Sequence, residues 1–349
     1  MIGKISLNNF RNFGSKTLEF SDGITLIIGP NAIGKTNILE SLFLLSTGKS
    51  FKARVESESI KYGESIASIT GITEDIKLEV KITTGENGWP KKKLLVNGVP
   101  RRMIDFAGNF KTVLFGPWDM DLVTDSPSLR RKFLDTVLTQ TDREYHRSVI
   151  SYEKGIRQRN RLLFRIREEG VPRSQLVFWN QLLIKNGNYI TQKREEFIEF
   201  ANTMKNEQGT VNYALEYDRS IISEGRLEQY RNEEVASATT LVGPHRDDFT
   251  FRVNERGSTR VEDRDLASFG SRGEQRMGVL WLKMAELDYI EKQTSERPTL
   301  LLDDIFSELD HKHRDTVMEI IKNQQTIITT ADPHFVADLK KVEKIELKE

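Results

Sequence analysis

The sequence predicts an α/β fold: a head built on a parallel sheet, discontinuous along the chain and interrupted by a helical-hairpin arm. Three observations carry this. The run Ile24-Thr25-Leu26-Ile27-Ile28 has the uninterrupted, β-branched character of a strand buried on both faces, and a glycine loop and a helical pattern follow it directly. Strand character returns far along the chain, at Thr299-Leu300-Leu301-Leu302 and Ile327-Ile328-Thr329-Thr330. Between them lie two long amphipathic helices separated by Glu169-Gly170-Val171-Pro172. The head is expected over 1–120 and 208–349, and the arm over 121–207.

Each element has its own reason. Met1-Ile2-Gly3-Lys4-Ile5-Ser6-Leu7 alternates polar and apolar residues, as a strand does. Asn37 to Leu45 places apolar residues at helical spacing. From about 65 to 115, alternating strands are punctuated by turn signals, among them the hairpin dipeptide Asn97-Gly98. Tyr145, Val149, Tyr152, Ile156, Leu163 and Ile166 fall three, four or seven apart, giving one apolar face on a long helix. Glycine and proline then interrupt it. Leu183, Ile190, Phe197 and Met204 recur at intervals of seven, a coiled-coil-like seam on the second helix. At 1.5 Å per residue, helices of about 28 residues are about 42 Å long, too short for an extended rod. Strands follow over 211–217 and 249–253, then a helix from about Gly273 to Lys292.

Composition narrows the classes. A chain of 349 residues suggests about two domains. With no cysteine there is no disulfide framework, thiolate metal site or cysteine nucleophile. No apolar run approaches the roughly 20 residues that span a bilayer, and the N-terminus has no signal-peptide layout, so a cytoplasmic protein without a membrane partner is expected. The 52 Lys+Arg balance 52 Asp+Glu, which at first argues against a polyanionic partner. The balance is an average, however. Between Leu129 and Arg173 there are 12 Lys+Arg against 6 Asp+Glu. A segregated surface is expected, and nucleic acid is not excluded.

The chemistry begins at Gly29-Pro30-Asn31-Ala32-Ile33-Gly34-Lys35-Thr36, which fits the phosphate-binding loop G-x-x-x-x-G-K-[ST]. Its glycines let backbone N–H groups turn toward phosphate oxygens, and the following helix adds its dipole. Lys35 would reach the β- and γ-phosphates of ATP, and Thr36 would place its hydroxyl on Mg²⁺. Chance alone gives the four fixed positions in roughly 1% of chains this long, without the flanking strand and helix. Ala32 stands where many such loops carry another glycine. Leu300-Leu301-Leu302-Asp303-Asp304 is a Walker B pattern. Asp303 would hold Mg²⁺, and Asp304 would orient or deprotonate the attacking water.

Ser271-x-Gly273-x-Gln275, ahead of a long helix, resembles the signature motif of ATP-binding-cassette (ABC) ATPases. In those proteins this helix N-terminus meets the γ-phosphate of nucleotide held by the partner subunit. Ser307-Glu308-Leu309-Asp310 resembles their D-loop, and Thr329-Thr330-Ala331-Asp332 ends where they carry a switch histidine, leaving Thr330 or Asp332 as the substitute. Phe115-Gly116-Pro117-Trp118-Asp119 lies near the expected Q-loop and offers no glutamine.

Several further blocks resemble the bacterial RecF family. They are Asn9-Phe10-Arg11-Asn12-Phe13, the loop ending Gly34-Lys35-Thr36-Asn37, Gly48-Lys49-Ser50-Phe51, Val113 to Pro117, Ser126 to Asp135, Gly243-Pro244-His245-Arg246-Asp247-Asp248 and Leu301 to Asp310. They run in order over nearly the whole chain. Ala32 and Glu274, where the family often has glutamine, are departures that remove no catalytic group. The resemblance implies an SMC-like, ABC-type P-loop ATPase head with a helical arm, a homodimer closed around two ATP molecules, and binding of single- and double-stranded DNA. It also implies action with RecR as direct partner, and with RecO, in loading RecA at gaps. Nucleotide would lie against Gly29 to Asn37 of one chain and Ser271, Gly273 and Gln275 of the other. Candidate DNA contacts are Lys91, Lys92, Lys93, Arg101 and Arg102 around the hairpin, and Arg130, Arg131 and Lys132 before the arm.

Two other classes stay open. A transport ATPase usually places its signature about a hundred residues after the loop, against about 235 here. A DNA-binding protein with a vestigial nucleotide site would not need Lys35, Thr36, Asp303 and Asp304. His311-Lys312-His313 reads more simply as a solvated helix start than as a metal pair.

Overall fold

The computed structural model describes residues 1–85, 90–204, 211–255, 264–307, 314, 317–319, 321–332, 334 and 342–348. Two compact units emerge, one of residues 1–119 with 286–349 and one of residues 120–285.

In the first unit, five parallel strands lie in the order Val342–Glu346, Ile24–Ile28, Thr326–Thr330, Thr299–Asp303, Thr112–Phe115. Ile24–Ile28 has neighbours on both edges and buried residues on both faces, which is why its sequence does not alternate. A six-stranded antiparallel sheet runs Phe13–Glu19, Ile2–Phe10, Ile66–Thr73, Lys77–Thr84, Pro90–Val96, Val99–Arg101. Its last turn is the predicted hairpin, with Asn97 and Gly98 at φ +52° and +78°. The helix Lys35–Thr47 packs between the two sheets and is buried on nearly every side. Ile5, Leu7, Ile69 and Val80 of one sheet join Ile27, Leu301 and Ile327 of the other and Ile38, Leu42 and Leu45 of the helix in one apolar core. Each such side chain contributes about 1.5–3 kcal/mol on burial.

In the second unit, the arm helices are Arg143–Glu169 and Val177–Thr203, 27 residues each. The first ends at Gly170, whose φ of +67° is the left-handed C-cap. Tyr145, Val149, Tyr152, Leu163 and Ile166 are buried, as are Leu183, Ile190 and Phe197. The predicted seam is corrected at its end. Met204 lies past the helix, where its carbonyl accepts the Trp281 indole N–H at 3.1 Å.

This unit also reaches beyond the arm expected over 121–207. A small sheet, ordered Arg264–Asp265, Asp248–Glu255, Val211–Asp218, belongs to it. Phe249 and Phe251 sit on one face of that sheet, and Phe249 packs edge-on against Phe133, which meets Phe197 of the arm at 5.9 Å. Nothing in the local pattern of residues 211–255 announced this attachment.

Buried charge pins the same region. Arg194 donates to Asp135 at 2.9 Å, Asp247 at 3.1 Å, the Tyr145 hydroxyl at 3.1 Å and the Pro244 carbonyl at 2.7 Å. Tyr217 also donates to Asp247, whose side chain is fully buried. Arg194→Met leaves two carboxylates without their cation. It should lower the unfolding free energy by about 3–5 kcal/mol in urea titrations.

Candidate functional site

The phosphate-binding loop leaves the carboxyl end of the strand Ile24–Ile28 and enters the helix Lys35–Thr47. Open parallel sheets bind ligands at this edge. The loop needs two residues in the left-handed region, Ala32 at φ +66° and Gly34 at φ +112°. A Cβ at Gly34 would come within 2.7 Å of Asn12 and Phe13, so only glycine fits there. Ala32 accepts a conformation that costs a non-glycine residue about 1–2 kcal/mol. Lys35 Nζ folds back across the loop and donates to the carbonyls of Gly29 at 2.7 Å and Pro30 at 2.9 Å. Burial lowers its pKa, while Asp304 and Asp303 oppose that shift.

The two predicted halves of the site meet. Thr36 Oγ1 donates to Asp303 Oδ2 at 2.8 Å across 267 residues of sequence. The other Asp303 oxygen accepts the Thr329 hydroxyl. Asp304 follows with φ +51° and its N–H on the Thr329 carbonyl at 3.1 Å. The Ala331 N–H and the Thr330 hydroxyl both act to lower its pKa. The hydroxyl of Thr330, one candidate switch residue, donates to the Asp332 carbonyl at 3.0 Å and accepts the Asp332 N–H at 3.1 Å, so the two candidates meet through the Asp332 backbone. Burial raises the Asp304 pKa above its ordinary value, Asp303 adds to this, and Lys35 opposes it.

A support for the loop escaped the motif reading. Asn12 donates to the Ile33 carbonyl at 2.8 Å and accepts from Asn37 at 2.9 Å. Arg11, at φ +54°, forks onto the buried Glu40 of the loop helix at 2.8 and 2.5 Å. Arg11 and Asn12 belong to the block Asn9-Phe10-Arg11-Asn12-Phe13. Their positions before the second strand gave no sign that they brace the loop. In the stretch Phe115 to Asp119, near the expected Q-loop, Gly116 N–H donates to Asp119 and Trp118 stacks on Phe51 at 4.9 Å.

The signature residues Ser271 and Gly273 are exposed at the start of the helix Arg272–Thr294. Ser271 and Glu274 form a reciprocal capping box, with N–H to side-chain distances of 2.8 and 3.2 Å. Glu274 therefore has a structural use at the position where it departs from glutamine, and its pKa is lowered by the Ser271 N–H. Gln275 turns inward and donates to the Leu266 carbonyl at 3.2 Å, so it braces the preceding turn. Ser307 lies at the end of the described run with no account of its side chain, while Glu308, Leu309, Asp310, His311, Lys312 and His313 lie outside the described residues.

The DNA candidates divide. Lys91, Lys93, Arg101, Arg102 and Lys132 are exposed. Lys92 points inward, donating to the Gly48 carbonyl at 2.7 Å and pairing with Glu56. Arg130 is corrected as a DNA contact: it is buried, forks onto Asp248 at 2.7 and 2.9 Å and donates to the Asp125 carbonyl. Arg131 is half-buried and donates to the Asp247 carbonyl at 2.7 Å. Arginine and lysine runs in sequence do not distinguish a solvated fork from one already occupied by carboxylates.

This fold and loop define a class, the SMC-like, ABC-type P-loop ATPase head. The model of the RecF/RecN/SMC N terminal domain family matches residues 1–349. The Smc head domain of Pyrococcus furiosus, solved with an extended coiled coil and the C-terminal domain of ScpA, shares the fold at a TM-score of 0.54 and 17% identity, over 99% of this chain and 94% of that one. Two likenesses narrow the class. The DNA replication and repair protein RecF of Herpetosiphon aurantiacus is 32% identical over 381 residues, 98% of this chain and 97% of its own. A solved structure of the recombination mediator protein RecF-ATPrS in the RecFOR pathway matches at a TM-score of 0.86 and 30% identity, over 99% of this chain and 96% of that one. The chain belongs to the RecF family of DNA replication and repair proteins.

The raised Asp304 pKa has a consequence for stability. The native state binds a proton there more tightly than the unfolded chain, so stability falls as pH rises from the ordinary aspartate value through the raised one. Asp304→Asn removes that penalty. Its thermal midpoint should exceed wild type at neutral pH, with the gain vanishing on acidification below the ordinary aspartate pKa.

Proposed function

We propose that the chain is an ATP-dependent DNA-binding protein of recombinational repair, in which nucleotide pairs two copies and hydrolysis releases them. The observation that carries this reading is the Thr36–Asp303 contact at the mouth of a strand-loop-helix unit. The RecF relatives support it, one of them solved with ATPrS and another with ATP.

In this reading Gly29 to Asn37 wrap the phosphates of ATP. Mg²⁺ fits the donor set, because the Thr36 hydroxyl and the Asp303 carboxylate are hard oxygens lying side by side. Among the described residues no cluster of three acidic or histidine side chains competes for it. When bound, the ion supplies positive charge to the phosphate oxygens. Lys35 swings from its loop carbonyls to those oxygens. Asp304, with its raised pKa, is poised to orient a water and accept its proton. Ser271 and Gly273 of the second chain approach the γ-phosphate with the Ser271 hydroxyl and helix N–H groups. Loss of that phosphate removes the anion both chains share, and the dimer loosens. Turnover is slow and serves as a timer.

DNA, single- or double-stranded, is the macromolecular ligand in this reading. RecR is the direct protein partner, with RecO and RecA further along the pathway, in replication-gap repair and the SOS response. A cytoplasmic location accords with this, and no helix among the described residues is long and apolar enough to cross a membrane. The second reading is the ATPase subunit of another ABC-type complex, for transport or chromosome maintenance. The stretch of about 235 residues between Thr36 and Ser271, which contains the arm, disfavours transport.

Two variants test the scheme. Lys35→Ala should abolish ATP-driven dimerisation in light scattering; normal dimers would sink the proposal. Asp304→Asn should still dimerise on ATP while phosphate release falls at least a hundredfold, the scale of a lost general base.

A further inference from the structure

The outer face of the six-stranded sheet carries an arrangement that folding alone does not favour. Strand register sets Lys81 directly opposite Lys93, and two like charges so placed repel. The same face continues across the sheet, because Ser68 stands opposite Lys81, Asn8 opposite Ser68 and Ser15 opposite Asn8. Ser15, Asn8, Ser68, Lys81 and Lys93 therefore form one row over five strands. At about 4.8 Å between strands the row is roughly 19 Å long. Lys91, opposite Thr83, lies two residues along on the same face.

Among the described residues no counter-charge answers these lysines. Among the described residues, the side chains of Lys81, Lys91 and Lys93 have neither an ion pair nor a hydrogen bond. The carboxylates of the neighbouring rows are taken, Glu19 by Lys4 at 2.9 Å and Glu79 by Lys77 at 3.3 Å. Lys92 alternates to the inner face and is spent there on Glu56 and Gly48. What remains is a flat row of hydroxyl, amide and ammonium groups, all donors suited to phosphate oxygens.

We propose that this face, centred on Lys81, Lys91 and Lys93, seats the phosphate backbone of a nucleic acid. The proposal rests on the DNA-binding reading above and assigns it a surface. The side chains available are short hydroxyls, one amide and lysines, so the contact would be independent of sequence. Charge complementarity with a polyanion gives the repelling lysine pair its use.

The test is DNA affinity of the full chain, measured by fluorescence anisotropy on single- and double-stranded oligonucleotides across a salt series. K81E/K93E should weaken binding at least tenfold at low salt. Its slope of log affinity against log salt should be shallower by about 2, near 0.9 per lost phosphate contact on duplex. K185E, an exposed lysine reversed in the other unit, should change neither. Stability separates this role from damage. K81E puts a carboxylate opposite Lys93 and should raise the thermal midpoint while lowering DNA affinity. A double variant with wild-type affinity and slope would overturn the surface and leave the function standing. Wild type that binds no DNA with or without ATP would overturn both. Binding of phosphatidylserine vesicles, lost in K81E/K93E while DNA binding persists, would replace nucleic acid with a membrane as the occupant.

Discussion

The burial of one helix governs the site. Lys35–Thr47 lies between two sheets with apolar residues on nearly every side, so it has no freedom to shift or rotate without opening the core. Its N-terminus is thereby fixed at the carboxyl edge of the parallel sheet. The loop before it must bridge strand and helix in a few residues, and it does so through two left-handed positions. A surface helix could not hold N–H groups at a fixed point in this way. The same packing explains why the helix lacks a single apolar stripe: both of its flanks face protein.

Around that helix the polar groups are arranged in pairs, each answering another's charge or donor. Glu40 is wholly buried on the helix and would be costly alone; Arg11 forks onto it, with Ser50 also donating to it. Asn12 ties the Ile33 carbonyl to Asn37, linking the first hairpin to the end of the loop and the first turn of its helix. On the other side, Thr329 at the end of the neighbouring strand donates its hydroxyl to Asp303, and its carbonyl accepts the Asp304 N–H. The adjacent strand thus supports both of the acidic residues whose charge acts on Lys35.

The second unit relies on a different device. Its aromatic contacts join the small sheet to the arm, and Arg194 of the second arm helix, with Asp247 of the turn and Asp135 of the helix Pro127–Thr141, locks the Gly243-to-Asp248 turn in place. Two of the basic residues that give Leu129 to Arg173 its local positive balance are likewise internal. Arg130 and Arg159 are both buried on carboxylates, as is Arg194 further on. The local charge count exceeds what the surface presents.

The sequence by itself determined the elements and the nucleotide loop. Periodicity separates strand from helix wherever burial is one-sided, and the glycine-lysine-threonine pattern is local because a single turn must wrap a phosphate. The Walker B run, the hairpin at Asn97-Gly98 and the arm helices were legible for the same reason: each is set by neighbours a few residues away. Only the tertiary structure decided which distant groups meet. That Thr36 reaches Asp303, that Arg11 braces Glu40, that Gln275 turns inward and that Lys92 and Arg130 are occupied depends on strand order, register and packing. So does the attachment of residues 211–255 to the arm. Those contacts join residues whose local patterns carry no record of one another, since apolar burial and charge pairing act through space and not along the chain.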